Sequence, residues 1–339
     1  MNGIGLTLAG GGGKGAYQIG VWKYLRECGL EHHICGISGA SVGALNGALF
    51  ASGAYEKACD IWMSITPNQI LSVKTPTVED IVHWICHLSL NSVLPFPSFA
   101  PALAAMLSRS CAFSREGLTN LIRKAMNFSV LHTSPIPCYA ACTALRDLSV
   151  HYIDLREHTE REAQSILLAS SAIPVLFDPV MLWDGYYCDG GIPLAGDNVP
   201  ITPLYNMGIR YILVVHLSRN APVNPLDFPD ATIVEIMPQS DLGGPLDGTL
   251  DFTAEGAAWR MQMGYEDAAR AFSTFVSSAV LQKRKEGMLQ TFQCSSKSFQ
   301  ERREALEAKR RETLDKRIND GFFHLLQTLS EEEQAGGVQ

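Results

Sequence analysis

A short apolar run, Ile34-Cys35-Gly36-Ile37, leads into Ser38-Gly39-Ala40-Ser41-Val42-Gly43, and small residues follow to position 51. The order reads as strand, sharp turn, helix, and that order gives a G-x-S-x-G pattern chemical meaning. The turn is so tight that side chains beside the serine would clash, so Gly39 and Gly43 leave it room. Ser41 then opens a helix, where backbone N–H groups and the helix dipole favour negative charge. A strand feeding straight into a helix also predicts an α/β chain with its chemistry at one sheet edge. The pentapeptide itself is built from common residues. A turn of this kind also carries glycine for packing alone, so the rest of the chain decides its meaning.

Upstream, Ile4-Gly5-Leu6-Thr7-Leu8-Ala9 reads as a first buried strand. It runs into Gly10-Gly11-Gly12-Gly13-Lys14-Gly15, and a helix over 16–28 follows, stopped by Gly29. Three readings compete for this loop. A Walker A loop needs Ser or Thr after the lysine, and Gly15 stands there. A dinucleotide site fits Gly10, Gly12 and Gly15 as G-x-G-x-x-G, but it also needs an acid at the end of the next strand. Glu31 falls near that distance, yet residues 28–33 do not read as a strand. The third reading is an oxyanion hole, in which successive glycine N–H groups converge on one concavity backed by a helix N-terminus. Lys14 adds positive charge there. Successive strands of a parallel sheet open at the same carboxyl edge, so this loop and Ser41 are expected side by side.

Composition narrows the class of partner. The chain has 339 residues and a net charge of -8. That charge argues against nucleic acid as the main partner, since phosphate binding wants a basic footprint. It leaves a membrane surface open, where local patches matter more than the sum. Nine cysteines are scattered and odd in number. Cys138 and Cys142 lack a second pair to complete a zinc site, so the cysteines read as buried reduced thiols. The sequence shows neither a secretory leader pattern nor a run of about 18 apolar residues.

Residues 64–127 read as a helical, lid-like insertion. Within it, 92–106 is apolar and broken by Pro95, Pro97 and Pro101, and carries Phe96 and Phe99. It is either a loop packed on the core or a mobile lid over a lipid-binding cleft. Strands are expected at 136–144 and 150–154, a helix at 159–171, and further strands at 210–217 and 232–237. Val180-Met181-Leu182-Trp183 and Tyr186-Tyr187-Cys188 flank Asp184-Gly185, a hairpin signal that delivers Asp189-Gly190-Gly191 at its exit. Past residue 240 the chain reads as helical, over 252–281 and 298–327, and 331–339 as a disordered tail. The 298–327 helix has an apolar stripe, Leu306, Leu314, Ile318, Phe322, Leu325 and Leu326, that suits either docking on the body or a partner.

A serine hydroxyl needs a base within hydrogen-bond reach. Of nine histidines, only His216 and His324 come late in the chain, and neither follows a strand in a turn. Asp189, on a glycine-flanked loop, is the better base if burial raises its pKa. Asp178, Asp184 and Asp197 are nearby alternatives, and Asp-Gly-Gly is also common turn chemistry.

The glycine loop, Gly39-Ala40-Ser41-Val42-Gly43 and Asp189-Gly190-Gly191 together resemble the patatin-like phospholipase family. Its pattern is G-G-G-x-[KR]-G, G-x-S-x-G and D-G-[GA]. Ala169-Ser170-Ser171-Ala172-Ile173-Pro174 and Asn198-Val199-Pro200 are similar to the family's flanking runs, and the likeness spans roughly 4–239. It implies a three-layer α/β/α fold with a central, mostly parallel sheet over 1–240; the C-terminal helical region over 241–330 does not match the family's motifs, and its role is open. It implies Ser41 as nucleophile, Asp189 as base, an oxyanion hole from Gly10 to Gly13, and no cofactor or calcium. Lys14, Gly15, Gly39, Gly43, Gly190, Gly191 and Asn198 would support them. The implied reaction is hydrolysis of phospholipid or lysophospholipid acyl esters. The protein would be cytoplasmic, or exported without a cleaved signal, and peripheral to membranes. Whether a protein activator or a second copy is needed stays open. The alternatives are a dinucleotide-binding oxidoreductase and a non-catalytic lipid- or partner-binding protein.

Overall fold

A computed structural model of the chain describes residues 3–73, 113–174, 176–193, 195–219, 222–274, 290, 297–298, 300–313 and 316. The expected lid at 92–106, most of the 298–327 stripe, His324 and the 331–339 tail lie outside the described residues. The chain divides into two units, Met1–Ser273 and Thr274–Gln339. In the second unit the described residues are helical, and of the stripe only Leu306 is described, 68% exposed.

The first unit is built on one sheet. Its strands are β1 (Ile4–Leu8), β2 (Ile34–Ala40), β5 (Cys138–Ala144), β6 (Val150–Asp154), β7 (Val180–Met181), β8 (Tyr186–Asp189), β9 (Tyr211–Val215) and β10 (Thr232–Ile236). A separate two-stranded ladder pairs β3 (Ser72–Val73) with β4 (Phe113–Ser114). The order across the main sheet is β10-β9-β1-β2-β5-β8-β7, with β6 also on β5. β10, β9, β1, β2 and β5 pair in parallel, whereas β6, β7 and β8 join antiparallel. The mostly parallel expectation therefore holds for the half that carries the glycine loop and the serine, within a mixed sheet.

Alternation along β9 explains the layers. Leu213 and Val215 point into the main core, while Ile212 and Val214 point into a smaller one with Ile201, Leu204 and Ile209. The main face is covered by α1 (Ala16–Glu27), α2 (Val42–Ala51), α3 (Tyr55–Ser64) and α7 (Glu160–Ser170), and the other carries α8 (Thr202–Asn206). Between these lie α4 (Pro67–Ile70), α5 (Glu116–Ala125) and α6 (Phe128–His132). α7 begins where Thr159 and Glu162 close a capping box, and its last residues deliver Ser170 to the sheet edge.

The unit runs on to Ser273, past the expected boundary at 240, because the helix α9 (254–273 in this unit) lies directly on α1. A Cβ on Gly20 would fall 1.8 Å from the Met261 oxygen, and one on Gly264 2.0 Å from the Tyr17 oxygen. Two glycines thus let the helix backbones touch. The crossing is fastened where the Tyr17 hydroxyl donates to Asp267 at 3.0 Å. Among the described residues, no helix is long and apolar enough to cross a membrane.

Candidate active site

Each strand has two hydrogen-bonding edges, and on β5 this fixes the site. β6 takes one edge, along 139–143. β2 and β8 must then share the other. β2 pairs 37–40 with 138–141, and β8 pairs 187–189 with 144–142. The strands approach from opposite directions, and Ala40 and Asp189 sit opposite consecutive residues, Ala141 and Cys142. Ser41, the next residue after β2, therefore meets Asp189 end to end.

Ser41 holds φ 53°, ψ -124°, a conformation side chains rarely adopt. It is held there from several directions. Its N–H donates to Ser170 Oγ at 3.1 Å, and Ser170 Oγ donates to the Ala141 oxygen at 2.7 Å. Behind it, a Cβ on Gly43 would lie 2.1 Å from the Leu8 oxygen, so the elbow rests against the end of β1. α2 has no side-chain cap, which leaves its first N–H groups beside the serine.

Asp189 is 4% exposed. Its N–H donates to the Ala172 oxygen at 3.0 Å, and its own carbonyl accepts from Thr143 Oγ1 at 3.0 Å. Oδ1 accepts from the Gly191 N–H at 2.7 Å. Burial pushes the carboxyl up to about 6, while the Ser41 hydroxyl and the Gly191 N–H pull it the other way. Oδ2 is buried without a well-formed hydrogen bond, so the hydroxyl is close enough to be felt but the contact is not closed.

The glycine loop lies alongside. Gly10 donates to the Asn198 oxygen at 3.3 Å and Asn198 Nδ2 donates to the Gly10 oxygen at 3.4 Å, joining the loop to the run after Asp189. Gly10 thus has its N–H committed, and the N–H groups of Gly11, Gly12 and Gly13 have no acceptor among the described residues. Gly12–Gly15 form a 3-10 turn into α1. Burial lowers the Lys14 pKa, opposed chiefly by Asp241.

A pocket of about 720 Å³, its open mouth included, starts at Gly12 and Ser41. It runs along Val42, Leu45 and Leu49 on one face of α2, and Ile61 and Trp62 of α3 and Leu118, Leu121 and Ile122 of α5 close it. Its lining is almost wholly apolar. The polar exceptions are Ser41, Ser171 and Asn46; Asn46 Nδ2 donates to the Gly15 oxygen at 3.0 Å and Gln18 Oε1 at 2.8 Å, and its Oδ1 accepts from Trp62 Nε1 at 3.1 Å. Gln18 in turn donates to the Ala9 oxygen at 2.7 Å. This chain of bonds ties the glycine loop to α2. It escaped the sequence reading, although Asn46 and Gln18, polar residues on helix faces otherwise apolar, were the signal.

Asp197, Asp184, His216 and Glu31 are engaged elsewhere. Asp197 accepts from Tyr152 at 2.7 Å, and Asp184 accepts from Tyr187 at 2.9 Å and pairs with Arg146. His216 Nε2 bonds Glu235 on β10, at the edge of the sheet, at 2.8 Å. Glu31 accepts from Trp22 at 2.7 Å and lies in a 3-10 turn, so it ends no strand. β2 ends at Ala40, with Ser41 next, where a dinucleotide fold needs its acid.

The chain is similar to known proteins over much of its first unit. The family model for patatin-like phospholipase matches residues 6–205. Patatin-like phospholipase domain-containing protein 7 of Rattus norvegicus is 25% identical over 237 residues, which are 68% of this chain and 15% of that protein. Lysophospholipase NTE1 of Cryptococcus neoformans is 26% identical over 228 residues, 67% of this chain and 12% of that protein. The chain thus spans a small part of the length of these relatives. Among solved structures, VipD from Legionella pneumophila aligns with TM-score 0.44 at 15% identity, over 81% of this chain and 67% of VipD. The family model covers more than half of the residues, and the chain belongs to the patatin-like phospholipase family.

Proposed function

We propose that this protein is a serine lipid acyl hydrolase that cleaves acyl esters of phospholipids or lysophospholipids through a Ser41–Asp189 pair. One observation carries the reading: the Ser41 hydroxyl and a buried carboxylate with an unclosed oxygen meet where two strands end. Ser41 Oγ attacks the ester carbonyl carbon and its proton passes to Asp189 Oδ2. The carbonyl oxygen becomes an oxyanion, held by N–H groups of the Gly11 to Gly13 stretch. As the intermediate collapses, the ester C–O bond breaks and Asp189 returns the proton to the leaving alcohol. Water then attacks the acyl-enzyme, its proton goes to Asp189, and the released Ser41 oxygen takes that proton as the fatty acid leaves. Burial suits the carboxylate to this work, because a pKa near 6 makes it a stronger base than an exposed aspartate. The apolar pocket beside Ser41 suits an acyl chain.

Purified protein assayed against phospholipid and lysophospholipid panels tests the reading. Fatty acid release by the parent, and none by Ser41→Ala or Asp189→Asn, is expected. Normal turnover by Asp189→Asn would end the two-residue mechanism. Micromolar binding of a nicotinamide dinucleotide, with no fluorophosphonate labelling of Ser41, would favour the oxidoreductase alternative.

A further inference from the structure

Residues 242–251 lie beyond the matched family span, yet they pack on the glycine loop. A Cβ on Gly12 would fall 2.2 Å from the Thr249 oxygen, and one on Gly13 2.1 Å from the Asp251 oxygen and 2.7 Å from the Gly248 oxygen. The strap therefore rests main chain to main chain on the loop. Its next residue, Phe252, lines the pocket and stacks on Trp62 with ring centroids 6.4 Å apart.

One side chain gathers this strap. Arg260 of α9 is 2% exposed. Its Nε donates to the Leu242 oxygen at 3.2 Å, one terminal nitrogen to the Asp251 oxygen at 3.4 Å, and the other to the Asp247 oxygen at 2.7 Å. That last nitrogen also pairs with the Asp251 carboxylate at 2.9 Å. The planar fork thus ties both ends of the strap and its middle, which a lysine's single nitrogen cannot do.

We propose that Arg260 is a positioning residue for the glycine loop, acting through the strap it holds against Gly12 and Gly13. The inference rests on the reading that this loop holds the oxyanion. Arg260 occupies three strap carbonyls. Without it the buried Leu242 oxygen and the part-buried Asp247 and Asp251 oxygens need other donors, and besides solvent the adjacent unpartnered donors are the loop N–H groups that the reaction needs. Loss of the arginine then quenches the oxyanion hole while the apolar pocket stays intact.

The test measures kcat and KM for ester hydrolysis by Arg260→Met, Arg260→Lys and Asp251→Asn. Rates are normalised to Ser41 titrated with a fluorophosphonate. Loss of one oxyanion donor costs roughly 10²–10³ in kcat, so about a hundredfold fall is expected for Arg260→Met, with KM within about twofold. Arg260→Lys recovers part of that loss, and Asp251→Asn, a milder change at a partly exposed position, falls about tenfold. The rate of fluorophosphonate labelling falls in parallel, since its phosphoryl oxygen needs the same donors. A purely structural role would lower the titratable fraction and leave kcat per titrated site alone. Parental kcat per titrated site in Arg260→Met and Asp251→Asn overturns the proposal. If Arg260→Met yields no folded protein, Asp251→Asn decides. Undiminished hydrolysis by Ser41→Ala would instead withdraw the site reading itself, and this inference with it.

Discussion

Ser41 and Asp189 stand end to end along one edge of β5, one delivered by a strand running up the sheet and the other by a strand running down. Asp189 is the last residue of β8, and its side chain is buried there. Its burial follows from that position, and so does its raised pKa of about 6.

The first prediction concerns pH. The base must be unprotonated to take the serine's proton, so kcat/KM should rise with unit slope through about pH 6 and level off above it. A steady-state profile from acid to neutral pH checks this. A midpoint near the ordinary value of 3.8 would mean that burial does not raise the carboxyl in the working enzyme.

The same burial has a stability consequence, with a sign opposite to that of a salt-bridged aspartate. The folded pKa of about 6 lies above the ordinary 3.8, so the folded state binds the proton more tightly than the unfolded chain does. Its stabilising contribution is present below about 3.8 and is lost as pH rises through about 6. Asp189→Asn removes this cost, and its amide oxygen can still accept from Gly191. At pH 7.5 the variant should therefore be inactive yet more stable, by up to about 3 kcal/mol. The gain should shrink as pH falls through that window. Urea unfolding at two pH values measures it, and a destabilised variant at neutral pH would contradict the account.

Ser41 offers a second separation of function from stability. Its positive φ costs about 1–2 kcal/mol for a residue with a side chain and little for glycine. Both Ser41→Ala and Ser41→Gly should be inactive, but the glycine variant should unfold at higher urea, by about 1 kcal/mol. Equal stability of the two would mean the elbow is not strained.

Much of this was legible in the chain. The strands at 150–154 and 232–237, the Asp-Gly hairpin and the elbow follow from local pattern, because apolar alternation and turn glycines act within a few residues. The end-to-end meeting of Ser41 and Asp189 did not follow. It depends on β6 occupying one edge of β5 and forcing β2 and β8 onto the other, a competition no local pattern encodes. Arg260 and Ser170 were missed for the same reason. Their partners lie 9 to 18 and 29 to 129 positions away, and although Ser170 stands in a run similar to the family's, no local pattern names its partners or those of an arginine on the 252–281 helix.

The Gly20–Gly264 crossing yields a prediction about the segment past 240. Any side chain at Gly264 strikes the Tyr17 main chain, so Gly264→Ala must push α9 off α1. A loss of about 1–3 kcal/mol is expected from such overpacking. Because α9 carries Arg260, activity per titrated Ser41 should fall as well, although the substitution touches no pocket residue. Gly29→Ala, at a position with open space around it and φ 70°, is the comparison: it strains the backbone without moving a helix. It should cost about 1 kcal/mol in stability and leave activity per site unchanged.

The pocket makes the last prediction. Leu45 lies one helical turn from Ser41 on the lining face of α2, and Leu49 a further turn along. An acyl chain whose carbonyl carbon sits at Ser41 would run past both. Leu45→Trp fills the space beside the serine without touching the elbow, Asp189 or the glycine loop. Long-chain esters should then lose about tenfold or more in kcat/KM, since each methylene excluded from an apolar site is worth about 1 kcal/mol. An acetyl ester, which needs none of that space, should be hydrolysed within about threefold of the parent rate. Comparing short- and long-chain nitrophenyl esters on one preparation gives the ratio directly. A uniform loss across chain lengths would mean that the acyl group does not enter along α2, and that this pocket serves another part of the substrate.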